Sequence, residues 1–205
     1  DGRTAMITDP RNGKIPYTDR ARALSRSRPV PHSDGPEGRN LWERCLTAGI
    51  PRLGGVYSQN IHLAQTPNHV VFLHEMIHEY RIIPLDENHD LPRGFKQWFG
   101  HSRGHWDGDT LVIETTGFDA RQLFRGLSLS GMRLIERLTR LDADTLRYDV
   151  SFIDPELWSQ PWTASLMMPP SEGPMFEYAC HEGNVGMTNI LEFARLDETT
   201  NGREP

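Results

Sequence analysis

PNHVVFLHEMIHEYRIIP, residues 67 to 84, admits two backbones, and the choice between them decides the fold. Inside it, His74-Glu75-Met76-Ile77-His78 fits H-E-x-x-H, the signature in which two histidines hold zinc and the glutamate activates a water. That chemistry requires a helix, where residues i and i+4 stand about 6 Å apart and can share one ion. In a strand the same two residues lie roughly 13 Å apart, at ~3.3 Å per residue. Read as a helix, the stretch puts Val70, Leu73, Ile77 and Tyr80 on one stripe, between Pro67 and Pro84. Read as strand, it draws on the density of Val70, Val71, Phe72, Ile77, Tyr80, Ile82 and Ile83. Periodicity alone leans to the helix, in which His74 and His78 would be the metal pair and zinc the cofactor.

The remaining composition bounds the answer. With 205 residues, 37% of them hydrophobic, the chain is long enough for one substantial core. No apolar run approaches the ~20 residues of a membrane span. A net charge of −6 without a Lys/Arg stripe argues against nucleic acid as the partner. Fifteen prolines and 18 glycines keep regular elements short. The two cysteines, Cys45 and Cys180, admit only one pairing: a disulfide in an exported protein, two buried thiols in a cytosolic one. The abrupt start at Asp1-Gly2-Arg3 reads as that of a processed protein, periplasmic or secreted, in which the pair is oxidised.

Residues 1–60 read as an irregular arm that packs on the rest. DPRNGKIPY and RSRPVPHSDGPEG are loops, TDRARALSRS is a short helix capped by Thr18 or Asp19, and LWERCLTAG is a helical turn ending at Gly49. Residues 61–205 form the main domain. DTLVIETTGF alternates after the Gly108-Asp109 turn. RLIERLTRL and LRYDVSFID form a hairpin whose second strand places Leu146, Tyr148, Val150 and Phe152 on one face. PWTASLMMP and MFEYACHE supply two further strands. Short strands and tight turns predict an antiparallel barrel or sandwich.

Several segments resemble a large family of bacterial proteins, mostly of unassigned function and often exported. They are Glu75, His78 and Arg81 in E-x-x-H-x-x-R, then IIPLDENH, GHSRGHWDGDTLVIETTGF, LIERLTRLDADTL, DPELWSQPWT and EYACHEGN. The resemblance spans Ile15 to Asn184. In that family the position of His74 is commonly aromatic or Gln, which speaks against a zinc ligand there. The family also resembles calycin-type barrels in its strand order, which implies extended backbone over residues 70–83. The resulting expectation is a mainly β chain: a calycin-like antiparallel barrel with an irregular N-terminal arm and few short helices.

Glu75, His78, Glu79 and Arg81 crowd an otherwise apolar segment, so they must pair with one another or face a cavity. A buried Glu–Arg pair with a satisfied histidine is the structural reading. The chemical reading makes His78 the acid/base, Glu75 its orienting carboxylate and Arg81 the anchor for a substrate carboxylate. His101 joins as a third catalytic candidate, and Tyr80, Trp106 and His89 as substrate contacts. The expected activity is a cofactor-independent lyase, decarboxylase or isomerase acting on a small, aromatic or carboxylated molecule in a barrel cavity. An exported ligand-binding protein without catalysis and a metal-dependent hydrolase are the alternatives. Oligomeric state stays open, a homodimer included.

Overall fold

The structure is a computed structural model, and it describes residues 5–27, 35–53, 57–85 and 94–201. In chain order the strands are β1 (Ile7–Asp9), β2 (Ile61–Gln65), β3 (His69–His74), β4 (Tyr80–Pro84), β5 (His101–Asp107) and β6 (Thr110–Thr116). They continue with β7 (Leu123–Phe124), β8 (Leu127–Ser128), β9 (Arg133–Arg140), β10 (Leu146–Ile153) and β11 (Trp162–Met168). The helices are α1 (Asp19–Arg26) and α2 (Val185–Asn201).

The helix that periodicity favours over residues 67–84 does not form. The stretch is an antiparallel pair, β3 and β4, with Phe72 opposite Arg81 and Val70 opposite Ile83. Side chains alternate strictly along β3, so Val70, Phe72 and His74 are buried while the residues between them are not. At the turn, Ile77 and His78 take φ of 61° and 54°, a left-handed backbone that a right-handed helix cannot contain. Burial of a period-two face against a second sheet overrides the helical stripe, which would have left Phe72 and Ile83, now 2% and 0% exposed, off the interior.

Ladders join β1-β11-β10-β9-β6-β5 into one sheet, β2-β3-β4 into a second and β7-β8 into a small third. The strand pairs of all three sheets are antiparallel, and no ladder among the described residues closes these sheets into a barrel. The core lies between the inner faces of the two larger sheets, where Val70, Phe72 and Ile83 meet Leu111, Ile113, Leu134, Leu138, Val150 and Phe152. The sheets approach closely at β4 and β5: a Cβ on Gly104 would stand 2.8 Å from Leu85 and 3.1 Å from Ile83.

Several local expectations hold. Helix α1 starts at Thr18, whose side chain accepts from the N–H of Ala21 at 3.1 Å. Strands β9 and β10 form the hairpin, and Tyr148, Val150 and Phe152 face inward. β1 of the arm extends the large sheet beside β11, and Tyr17 bridges to Trp158. MFEYACHE is not a strand. It crosses the β3–β4 turn without ladder pairing and leads into α2, which the sequence reading does not anticipate. Cys45 and Cys180 form a disulfide, with Cα atoms 5.7 Å apart, that ties this segment to the arm. No helix among the described residues is long and apolar enough to cross a membrane.

Backbone state at the turn is directly testable. Ile77→Gly relieves a left-handed β-branched residue and should raise stability by about 1 kcal/mol in denaturant titration. A helical segment would instead lose about 1 kcal/mol on the same substitution.

Candidate functional site

The alternation that builds β9 puts a carboxylate, Glu136, between Leu134 and Leu138 on the inner face, at 0% exposure. Directly across the core, β4 delivers Arg81. The guanidinium binds Glu136 through both ends, Nη1 to Oε2 at 2.6 Å and Nη2 to Oε1 at 2.9 Å. The hydroxyl of Tyr148, on β10, donates to the same Oε1. Ser102 Oγ lies 3.5 Å from Arg81 Nη1 and 2.8 Å from Thr115 Oγ1. The face of the guanidinium rests on Phe72, 4.9 Å from the ring centroid. Burial disfavours the charge on Arg81, yet adjacent Glu136 holds its pKa above the usual value. Burial and the Glu136 charge push the Tyr148 hydroxyl well up, so Tyr148 stays a donor.

His74 ends β3 beside this network, 4% exposed, with neither ring nitrogen hydrogen-bonded. Arg81 Nε is a third buried atom without a partner. Burial, and then the charges of Arg52 and Arg81, lower the pKa of His74 to about 3, so its imidazole is neutral at physiological pH. A cavity of about 10 Å³, room for a single water-sized group, is bounded by His74, Arg81, Glu136, Tyr148 and Arg52. Phe72 and Leu138 close its far side and also floor an apolar cleft of about 210 Å³, which opens between the sheets at Trp106, Arg140 and Leu146.

The other charges of the HEMIHEYR stretch are structural ties. Glu79 pairs with buried Arg52 and accepts from the N–H of Ala48 at 3.1 Å, and Arg52 also donates to the carbonyls of Gly49 and Met76. Burial raises the Glu79 pKa against these bonds. Glu75 accepts from Asn60 Nδ2 at 2.8 Å and from the N–H of Phe176 at 3.3 Å. His78 stands on the exposed turn, where its Nδ1 accepts from the N–H of Tyr178 at 3.2 Å.

The sequence candidates are therefore dispersed. Arg81 faces the interior, but Glu136 occupies both terminal nitrogens that a substrate carboxylate would use. Tyr80 points to the opposite face of β4 and is 64% exposed. His101 and Trp106 lie near opposite ends of β5, and Trp106, 46% exposed, edges the cleft. His89 lies outside the described residues. For the zinc alternative, the helix it needs is replaced by a strand and a turn, His74 facing the core and His78 the surface. Among the described residues no group of three or more His, Cys, Asp or Glu side chains is placed to hold a metal ion.

Glu136, Tyr148 and Arg52 are the site residues that sequence reading passes over. Glu136 did carry a signal: in LIERL it occupies the inward phase of an alternation set by Leu134 and Leu138. Comparison with known protein families, curated proteins and solved structures finds no match to this chain.

Two measurements check this description. Arg81→Met strands the Glu136 carboxylate and should cost about 3–5 kcal/mol in chemical denaturation, whereas Arg81→Met with Glu136→Leu should recover much of that loss. For His74, the folded pKa lies below the unfolded one, so the unfolded chain binds the proton more readily. Stability is then unaffected above pH 6.5 and falls as pH drops from 6.5 toward 3. His74→Leu should flatten the upper part of that decline, between pH 6.5 and about 5, where few carboxylates titrate.

Proposed function

We propose that this chain is a cofactor-independent acid/base enzyme, of lyase or isomerase type, acting on a small organic molecule held in the cleft between its two sheets. One observation carries the reading: an apolar cleft of about 210 Å³ ends on Phe72 and Leu138, behind which lies a buried imidazole with both nitrogens unengaged. A buried polar side chain without a partner is costly, and such groups concentrate where a ligand completes them. The cleft is smaller than those that enclose drug-sized ligands, so the substrate is a small one. A calycin-like relation, with the cleft standing where a barrel interior would be, belongs to the same proposal, as does an exported location.

His74 takes the role of proton carrier. With the Phe72 and Leu138 side chains at the cleft floor moved aside, its unprotonated nitrogen accepts a proton from the substrate and returns it at a second position. Burial first, and then the charges of Arg52 and Arg81, suppress the basicity of the resting imidazole. An anionic intermediate beside those guanidiniums offsets their charge and makes the imidazole a stronger base just when the proton moves. Stabilisation that appears only as charge develops is the kind that raises rate. Glu75 and His78 act at a distance from the chemistry, positioning the turn that follows His74.

A second reading, ligand binding without turnover, is favoured by that same low basicity at rest. Incubation of the protein in D2O with small aromatic and alicyclic compounds separates the two. An enzyme incorporates deuterium into a bound compound, and His74→Gln should slow incorporation by about a hundredfold or more while changing affinity by less than about threefold. Saturable binding without incorporation establishes the binder. Incorporation that His74→Gln leaves unchanged removes His74 from the chemistry.

A further inference from the structure

Resting on the reading of the inter-sheet cleft as a ligand site, and on no role for His74, we infer that its ligand is zwitterionic: an α-amino acid with an apolar side chain. The side chain lies in the cleft, and the charged head stays at the mouth between Arg140 and Asp109.

Strand register puts those two charges there. Leu111 of β6 stands opposite Leu138 of β9, and both are buried in the core. Two residues further along each strand, in the same inward phase, come Asp109 and Arg140, one step past the end pair Thr110 and Thr139. Leu146 of β10 lies opposite Arg140, and Gln65 reaches the same opening from the small sheet, where it pairs with Val70. Opposite charges so placed across strands commonly bond to each other. Here they do not. Arg140 donates to the carbonyl of Ala143 at 3.0 Å, and among the described residues the Asp109 carboxylate has no hydrogen-bond or ion-pair partner.

Each charge is therefore open to a ligand, the guanidinium to a carboxylate and the carboxylate to an ammonium. A ligand with a single charge is attracted by one of them and repelled by the other, whereas a zwitterion gains from both. Both residues are exposed, so the head keeps much of its hydration and only the apolar part leaves water. Below the rim the walls are Val70, Phe72, Leu111, Leu138, Leu146 and Trp106, around about 210 Å³. Trp106 also has the inward phase, opposite buried Leu111, yet it is 46% exposed. Its bare ring is a wall for a flat apolar side chain, which need go no deeper than Phe72 and Leu138.

Phenylalanine, hydrocinnamate and phenethylamine share one ring and a short stem and differ in the charges they carry. Titrated against the full chain by NMR, phenylalanine should move the Trp106 indole resonance, which is identified by its loss in Trp106→Phe. It should bind about fivefold more tightly than either of the others. Asp109→Asn should remove its advantage over hydrocinnamate, and Arg140→Gln its advantage over phenethylamine. Both substitutions are at exposed positions, where the fold tolerates them. Hydrocinnamate or phenethylamine binding as tightly as phenylalanine overturns the inference but leaves the cleft as a binding site. Affinities that neither substitution changes overturn it as well. No response of Trp106 to phenylalanine overturns it outright, whatever deuterium incorporation shows for other compounds. Phenylalanine binding without deuterium uptake leaves it standing, since it asks nothing of His74.

Discussion

The salt bridge between Arg81 and Glu136 is the contact on which the rest of this architecture depends. It crosses from the three-stranded to the six-stranded sheet and is almost wholly enclosed. Two charges in such a place are tolerated only when each satisfies the other, so the pair fixes where one sheet sits over the other as well as holding them. Tyr148 takes up a further lone pair of the carboxylate, and Phe72 covers the guanidinium face. Leu138, Val150 and Ile113 pack the same layer, and a shift of one residue in any strand would expose a charge to hydrocarbon.

The same rigidity leaves His74 stranded. Apart from Arg81 Nε, the polar atoms around it have found partners, and the imidazole has none. Folding alone gives no return for burying it, because a leucine there would pack without the cost of two lost hydrations. The contrast between a largely satisfied network and an unsatisfied imidazole is what the proposed ligand site rests on. Above it, the segment through Phe176 and Tyr178 is laced to the β3–β4 turn by Glu75 and His78 and to the arm by Cys45–Cys180. These ties come from distant parts of the chain and hold the residue after His74 from two sides.

Much of the sheet structure was legible in the chain as written. The alternation of Tyr148, Val150 and Phe152, the Gly108-Asp109 turn and the Thr18 cap each rest on contacts a few residues long, and each appears where expected. The site was less legible, for a physical reason. Glu75, His78 and Arg81 sit close in sequence and look like one constellation, but a pleated strand sends neighbours to opposite faces and a tight turn sends them elsewhere again. Arg81 therefore joins Glu136, 55 residues away, while Tyr80 beside it meets solvent. Periodicity over residues 67–84 also misled, since Val70, Leu73, Ile77 and Tyr80 fit a helical stripe while the β-branched and aromatic residues of the same short run fit a strand as well.

By itself the sequence determined what depends on near neighbours: a mainly β chain, the positions of its hairpins, the helix after Thr18 and a single cysteine pairing. Tertiary structure alone decided the backbone at HEMIH and the partner of every buried charge. Strand or helix there turns on whether a second sheet is present to bury Phe72 and His74, and a charge can be enclosed only where the fold brings its counter-charge from far along the chain.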